Sequence, residues 1–123
     1  QARIVITGEL AIEDVQRWYR RLTIYAFTSR NEGFGLTLIE AMSVGAALVA
    51  SRAGAAELVV ENGVTGVLTP PGDVDALVAA LEPLMGDPAS CTAMGRHARA
   101  RVLEKFSLDA EAGRIAEVYR VLV

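Results

Sequence analysis

The chain has 123 residues, which sets a single domain as the expectation and leaves enough length for a hydrophobic core. Hydrophobic residues make up 52% of it with few aromatics, and the net charge of −3 gives no electrostatic case for general nucleic-acid binding. The single cysteine, Cys91, excludes an internal disulfide and suits a reducing compartment, and no apolar run is long enough to span a bilayer.

Arg3 to Thr7 is short, apolar and β-branched and reads as a buried strand, broken by Gly8. Gln1 opens almost directly into it, which reads as mid-domain sequence of a longer protein. Ile12 to Arg21 repeats apolar residues at helical spacing, through Ile12, Val15, Trp18 and Tyr19. The Trp18-Tyr19 pair reads as core packing rather than as a sugar-stacking platform. Thr23 to Phe27 has the β propensity of a second strand. After the loop from Ser29 to Gly35, Leu36 to Val44 is apolar nearly all round and predicts a buried helix, ended by Gly45 as a left-handed cap.

Ala47 to Ala50 predicts a third strand, Ala56 to Glu61 a short helix, and Val64 to Leu68 an extended piece. Thr69-Pro70-Pro71-Gly72-Asp73 is loop punctuation, with Asp73 placed to cap a helix from Val74 to about Met85 that contains Pro83. A further helix is expected from about Ala89 to Lys105, and Ser107 caps a last one to Val123. Strand, helix, strand, helix, strand and then several helices is α/β order, with a parallel sheet. One unit covers residues 1–123. The helices after about residue 74 are expected to cover the sheet and to pack against another domain.

The chemistry concentrates between two carboxylates eight positions apart, Glu32 and Glu40. In open parallel sheets, ligands bind beyond the carboxyl ends of the strands, where this loop lies. The helix after it aims its free amides at the same place and favours an anion by about 0.3–1 kcal/mol. Gly33 and Gly35 remove side chains that would block a ligand, and Thr37 adds a hydroxyl in the first turn. Glu40 is the one charged residue between Leu36 and Val44, and its carboxylate could accept two hydroxyl hydrogen bonds, as from a ribose diol. Read alone, the same residues also suit an ordinary tight turn, a solvated Glu32 and a Glu40 paired with a core arginine.

Ser29-Arg30-Asn31-Glu32-Gly33-Phe34-Gly35, Leu38-Ile39-Glu40-Ala41-Met42 and Gly45 resemble the C-terminal nucleotide-sugar domain of retaining GT-B glycosyltransferases of family four. Ala50-Ser51, Gly54, Glu57-Leu58-Val59, Asn62-Gly63-Val64-Thr65-Gly66, Pro70-Pro71-Gly72-Asp73 and Phe106-Ser107 extend the resemblance over nearly the whole chain. It implies an α/β fold, a partial Rossmann-like parallel sheet with flanking helices forming the C-terminal half of a GT-B enzyme. It also implies a site. Glu32 would be the catalytic-site carboxylate that approaches the donor hexose. Gly33, Phe34, Gly35, Leu36 and Thr37 would hold sugar hydroxyls and phosphate. Glu40 would hold the ribose, and Gly8 would lie beside the nucleobase.

Thr7-Gly8-Glu9, Trp18-Tyr19-Arg20-Arg21-Leu22 and Ser29-Arg30-Asn31-Glu32 look most like mannosyltransferases of lipopolysaccharide core assembly, with GDP-mannose as donor. A glucosyltransferase using UDP- or ADP-glucose, a nucleotide-sugar-binding module without activity, and an interaction domain that keeps only the fold are the other readings. The resemblance implies a glycan or lipid-linked acceptor, a missing N-terminal domain of the same protein, and no cofactor beyond the nucleotide-sugar substrate. The chain by itself is expected to be inactive, because the family's upstream diphosphate-binding units and acceptor domain are not in it. No metal site is evident. His97, the one histidine, lies among Arg96, Arg99 and Arg101 on what reads as a solvated helix face. That basic run would also suit a cytoplasmic enzyme that meets anionic lipid at the inner face of a membrane.

Overall fold

A computed structural model describes residues 3–31 and 33–122. Three strands, β1 (Ile24–Phe27), β2 (Ala47–Ser51) and β3 (Val67–Thr69), form one parallel sheet in the order β1-β2-β3. Ile24 sits opposite Ala47 and Phe27 opposite Ala50, while Val49 sits opposite Val67 and Ser51 opposite Thr69. The helices are α1 (Ile12–Tyr19), α2 (Leu36–Ser43), α3 (Ala56–Val59), α4 (Val74–Met85), α5 (Pro88–Lys105) and α6 (Leu108–Leu122). This is the expected α/β arrangement.

Every residue of β2 is buried. Side chains alternate across a strand, so Leu48 and Ala50 enter one core layer and Ala47 and Val49 the other. The first layer joins β2 to Leu38, Ala41 and Met42 of α2, Val59 of α3, and Ala98 and Val102 of α5. The second joins it to Leu77, Leu81 and Leu84 of α4 and to Cys91 and Met94 of α5. Each fully buried Leu, Val or Met contributes about 1.5–3 kcal/mol relative to exposure. Cys91 is therefore a core residue, with its thiol donating to the Leu84 carbonyl at 3.1 Å. Burial pushes that thiol's pKa up.

Helix ends follow the local chemistry. Asp73 accepts from the Ala76 amide at 2.9 Å, and Ser107 Oγ accepts from the Ala110 amide at 3.2 Å, as expected of caps. The helix α5 begins one residue earlier than expected, at Pro88, where the missing N–H costs nothing, and Asp87 caps it. Gly45, with φ of 78°, ends α2. Its amide donates to Met42 and the next amide donates to Ala41, which satisfies the last carbonyls of the helix.

Several expectations change. Arg3 to Thr7 forms no strand, and Ile4 and Ile6 are 88% and 91% exposed. A strand exists by pairing its backbone groups, and among the described residues this segment has no neighbouring strand. Its apolar residues alone do not make it one. Residues 20 and 21 lie beyond the end of α1, α3 is shorter than expected, and of the Val64–Leu68 piece only Val67 and Leu68 enter β3. Nor is α2 buried all round. Leu38, Ala41 and Met42 are buried, while Leu36, Thr37 and Glu40 are exposed, because the sheet and α5 cover one side only. At the far end α6 packs on α5, leaving Leu108, Ile115, Val118 and Tyr119 exposed.

Among the glycines described, the closest packing is between α5 and the turn after α2. A Cβ built on Gly95 would overlap the carbonyl of Gly45. Backbone atoms on both sides leave nothing flexible to give way. Gly95→Ala is expected to destabilise the protein by about 1–3 kcal/mol, the usual scale of overpacking. A urea-unfolding midpoint unchanged from wild type would contradict this packing.

Candidate functional site

Beyond the carboxyl end of β1 the chain runs through the loop 28–35 into α2. Gly35 is the residue before the helix and has φ of 76°, a left-handed value that disfavours a side chain. It offers no side-chain cap, and the first turn of α2 holds no acidic residue. The contrast with the other helices is chemical. Aspartates cap α4 and α5, and acidic residues occupy the first turns of α1, α3 and α6. The Leu38 and Ile39 amides are taken by the Gly35 carbonyl, at 3.0 and 3.4 Å. Among the described residues the Leu36 and Thr37 amides have no backbone acceptor. Among the described residues nothing compensates the positive end of α2, which suits an anion.

The residues expected at the site fall into two groups. Gly33, Phe34, Gly35, Leu36 and Thr37 lie together at the α2 entry. An added Cβ at Gly33 meets no atom within 4 Å, so this glycine opens to solvent. Its carbonyl accepts from the Ala55 amide at 3.2 Å, which ties the loop to the start of α3. The Phe34 ring packs edge-on against Phe106, with centroids 6.4 Å apart, so its side chain anchors the loop to the end of α5. Glu32 lies outside the described residues.

Glu40 and Gly8 belong to the second group, one turn further along α2 and across from it. Glu40 is exposed and, with Tyr19, Gln16, Arg20 and Ser43, lines a cleft of about 260 Å³. The expected alternative of a buried Glu40–arginine pair is absent among the described residues. Thr7 and Gly8, with Trp18, Tyr19, Leu22 and Tyr25, line an adjoining cleft of about 370 Å³. Tyr19 borders both clefts and so stands between Glu40 and Gly8. Its ring lies 5.9 Å from that of Tyr25. Burial, then Tyr25 and then Glu40 raise its phenol pKa well above the usual range.

Tyr19 is the residue of these clefts that sequence reasoning assigned to the core alone. It is half-buried as a core assignment requires, but it lines one cleft with Glu40, a carboxylate 21 positions away in the chain. No local pattern carries that information. Its neighbour Trp18 corrects the other half of the core assignment. Trp18 is 40% exposed and carries the Arg21 guanidinium 5.5 Å above its ring. His97 is exposed on α5, and among the described residues no group of three His, Cys, Asp or Glu side chains could hold a metal ion. Among the same residues no helix is long and apolar enough to cross a membrane.

Comparison with known proteins bears on this geometry. Residues 1–87 match the family model described as Glycosyl transferases group 1. The chain is 48% identical, over 98% of its length, to a lipopolysaccharide core biosynthesis mannosyltransferase of Rhizobium leguminosarum bv. viciae, and spans 34% of that relative. Among solved structures, a sucrose-phosphate synthase from Thermosynechococcus elongatus superposes with a TM-score of 0.86 at 33% identity. That match covers 98% of this chain and 30% of the other. The Anabaena protein Alr3699/HepE in complex with UDP superposes with a TM-score of 0.80 at 30% identity, covering 88% of this chain and 30% of that one. The chain therefore spans about a third of each of these three proteins.

The Tyr19 environment has a measurable consequence. A phenol raised in the folded state keeps its proton when the unfolded chain has lost it. The stability this gives is complete below the ordinary phenol pKa of about 10 and declines as pH rises above it. Tyr19→Phe is expected to flatten the alkaline fall in stability and to remove the late-titrating phenol from the ultraviolet difference spectrum. An unaltered late titration in that variant would assign the perturbed phenol elsewhere.

Proposed function

As this chain belongs to the glycosyl transferases group 1 family, we propose that it carries the nucleotide-sugar site of a retaining enzyme that moves a hexose from a nucleotide diphosphate to an acceptor hydroxyl. The observation that carries the reading is the entry of α2. An uncapped helix start with no acid in its first turn, after an open Gly33, is a place for phosphate and sugar oxygens. Glu32 acts at the donor hexose. The amides from Gly33 to Thr37 hold phosphate and sugar. Glu40 takes the ribose hydroxyls, with the phenol of Tyr19 beside it, and Gly8 lies at the nucleobase. Catalysis is then positioning together with charge stabilisation of the departing phosphate. The remaining part of such an enzyme supplies the acceptor site, and the exposed apolar residues of α6 pack on it.

The donor we assign is GDP-mannose and the acceptor a glycan or lipid-linked glycan of lipopolysaccharide core synthesis. Support for this choice is the 48% identity to a mannosyltransferase of that process. A second reading, transfer of glucose from UDP-glucose, is favoured by the sucrose-phosphate synthase and UDP-bound structures. Turnover by the full-length enzyme on GDP-mannose against UDP-glucose separates the two.

In the full-length enzyme, Glu32→Ala is expected to lower kcat by roughly 10²–10³, the scale of one lost transition-state contact. Near-normal turnover would remove Glu32 from the mechanism. Glu40→Ala is expected mainly to raise the KM for donor, since ribose contacts are alike in ground and transition states. A pure loss of kcat at unchanged donor affinity would contradict the ribose role.

A further inference from the structure

Arg101, on α5, reaches across 42 positions of sequence to the end of α3. Its Nε donates to the Val59 carbonyl at 2.8 Å and its Nη2 donates to the Leu58 carbonyl at 3.0 Å. Glu61 Oε2 lies 3.6 Å from Nη1, and the Arg101 side chain is only 17% exposed. Carbonyls in the last turn of a helix have no partner inside the helix, and a guanidinium supplies two donors in a fixed fork. The helix it holds has four residues, far too few to persist without tertiary support.

The other end of α3 meets the site. The Ala55 carbonyl accepts from Leu58 and Val59, at 2.9 and 3.1 Å, and the Ala55 amide donates to Gly33. Arg101 therefore holds one end of a short rod whose other end holds Gly33. Gly33 has no side chain to anchor it and meets no packing atom where a Cβ would stand. Its place relative to α2 then depends on the Ala55 bond together with the Phe34–Phe106 contact beside it, and the place of Ala55 depends on Arg101.

We propose that Arg101 is a positioning residue for the sugar-contact loop, fixing Gly33 through α3 and the Ala55 amide without touching substrate. This rests on the function proposed above only for its kinetic consequence. The mechanical link stands on its own.

The test uses the full-length protein and three variants, Arg101→Ala, Arg101→Lys and Ala55→Pro. Ala55 has φ of −81°, close to what proline requires, and Ala55→Pro both removes the N–H donor and sets the ring Cδ against the Gly33 carbonyl, so it breaks this link outright. Arg101→Ala is expected to speed amide exchange at Ala55 by about tenfold or more, the scale of a lost charge-assisted hydrogen bond. Exchange at Leu48 and Val49 in β2 stays as in wild type. Arg101→Lys, which keeps the charge but loses the planar fork, falls between. Both Arg101→Ala and Ala55→Pro are expected to lower kcat by about 10- to 100-fold with donor KM little changed. The double variant loses no more than either single one, because both cut the same link.

Unchanged exchange at Ala55 in Arg101→Ala would overturn the proposal. So would an equal rise in β2, which would mark a general loosening, or additive losses in the double variant. Should Arg101→Ala fail to fold, Arg101→Lys gives the exchange comparison and, with Ala55→Pro, the kinetic one. A wild-type protein that transfers sugar from no nucleotide donor would overturn the functional reading, while the exchange data would still decide the link.

Discussion

Backbone contact between α5 and the Gly45 turn is the constraint on which the rest depends. With no Cβ at Gly95, α5 comes close enough to touch the Gly45 carbonyl directly. That approach lets Ala98 and Val102 complete the core layer over Leu38, Ala41 and Met42, and lets Cys91 and Met94 reach the opposite layer. One helix thereby closes both faces of β2, which has no solvent side at all. Protein interiors are packed close to crystal density, so a helix held this way transmits position rather than absorbing it. The far end of α2, where Gly35 opens the helix, is set by where its near end meets α5.

The same helix reaches the site along two further routes. Phe106, the residue that ends α5, supports the Phe34 ring, and Arg101 holds the carbonyls of α3 whose first residues meet Gly33. The loop that has few anchors of its own is thus supported from behind by side chains far away in sequence. This suits a loop that must leave its front open. A binding loop buried in its own contacts would have no free amides to offer.

Electrostatics separates the site helix from its neighbours. Where a helix start serves only the fold, a carboxylate caps it or stands in its first turn, as at Asp73, Asp87 and Asp109. At α2 both devices are missing among the described residues, and glycine holds the cap position, at a cost of roughly a few tenths of a kcal/mol against an aspartate. Stability is left unclaimed at the one helix start that faces the open loop. One turn further on, Tyr19 stands between the cleft of Glu40 and that of Gly8, so the two ends of the expected nucleotide site share a wall.

Much of this was legible in the residues themselves. Short β-branched runs, helical spacing and the caps at Asp73 and Ser107 are local signals, and they placed β1, β2, α4, α5 and α6 to within a few residues. Gly33, Gly35 and Thr37 were legible as one constellation because they are neighbours in the chain. Pairing and facing were not legible. Arg3 to Thr7 has the composition of a strand but finds no partner among the described residues, and Leu36 has the character of a core residue but lies 65% exposed. Tyr19 beside Glu40 and Arg101 at α3 are contacts across 21 and 42 positions. Sequence by itself determined which segments could be helix or strand and which glycines and hydroxyl gather at the start of α2, since both follow from side-chain and backbone preferences a few residues apart. Tertiary structure alone decided which strand found a neighbour and which charge met which carbonyl, because those depend on where the folded chain returns.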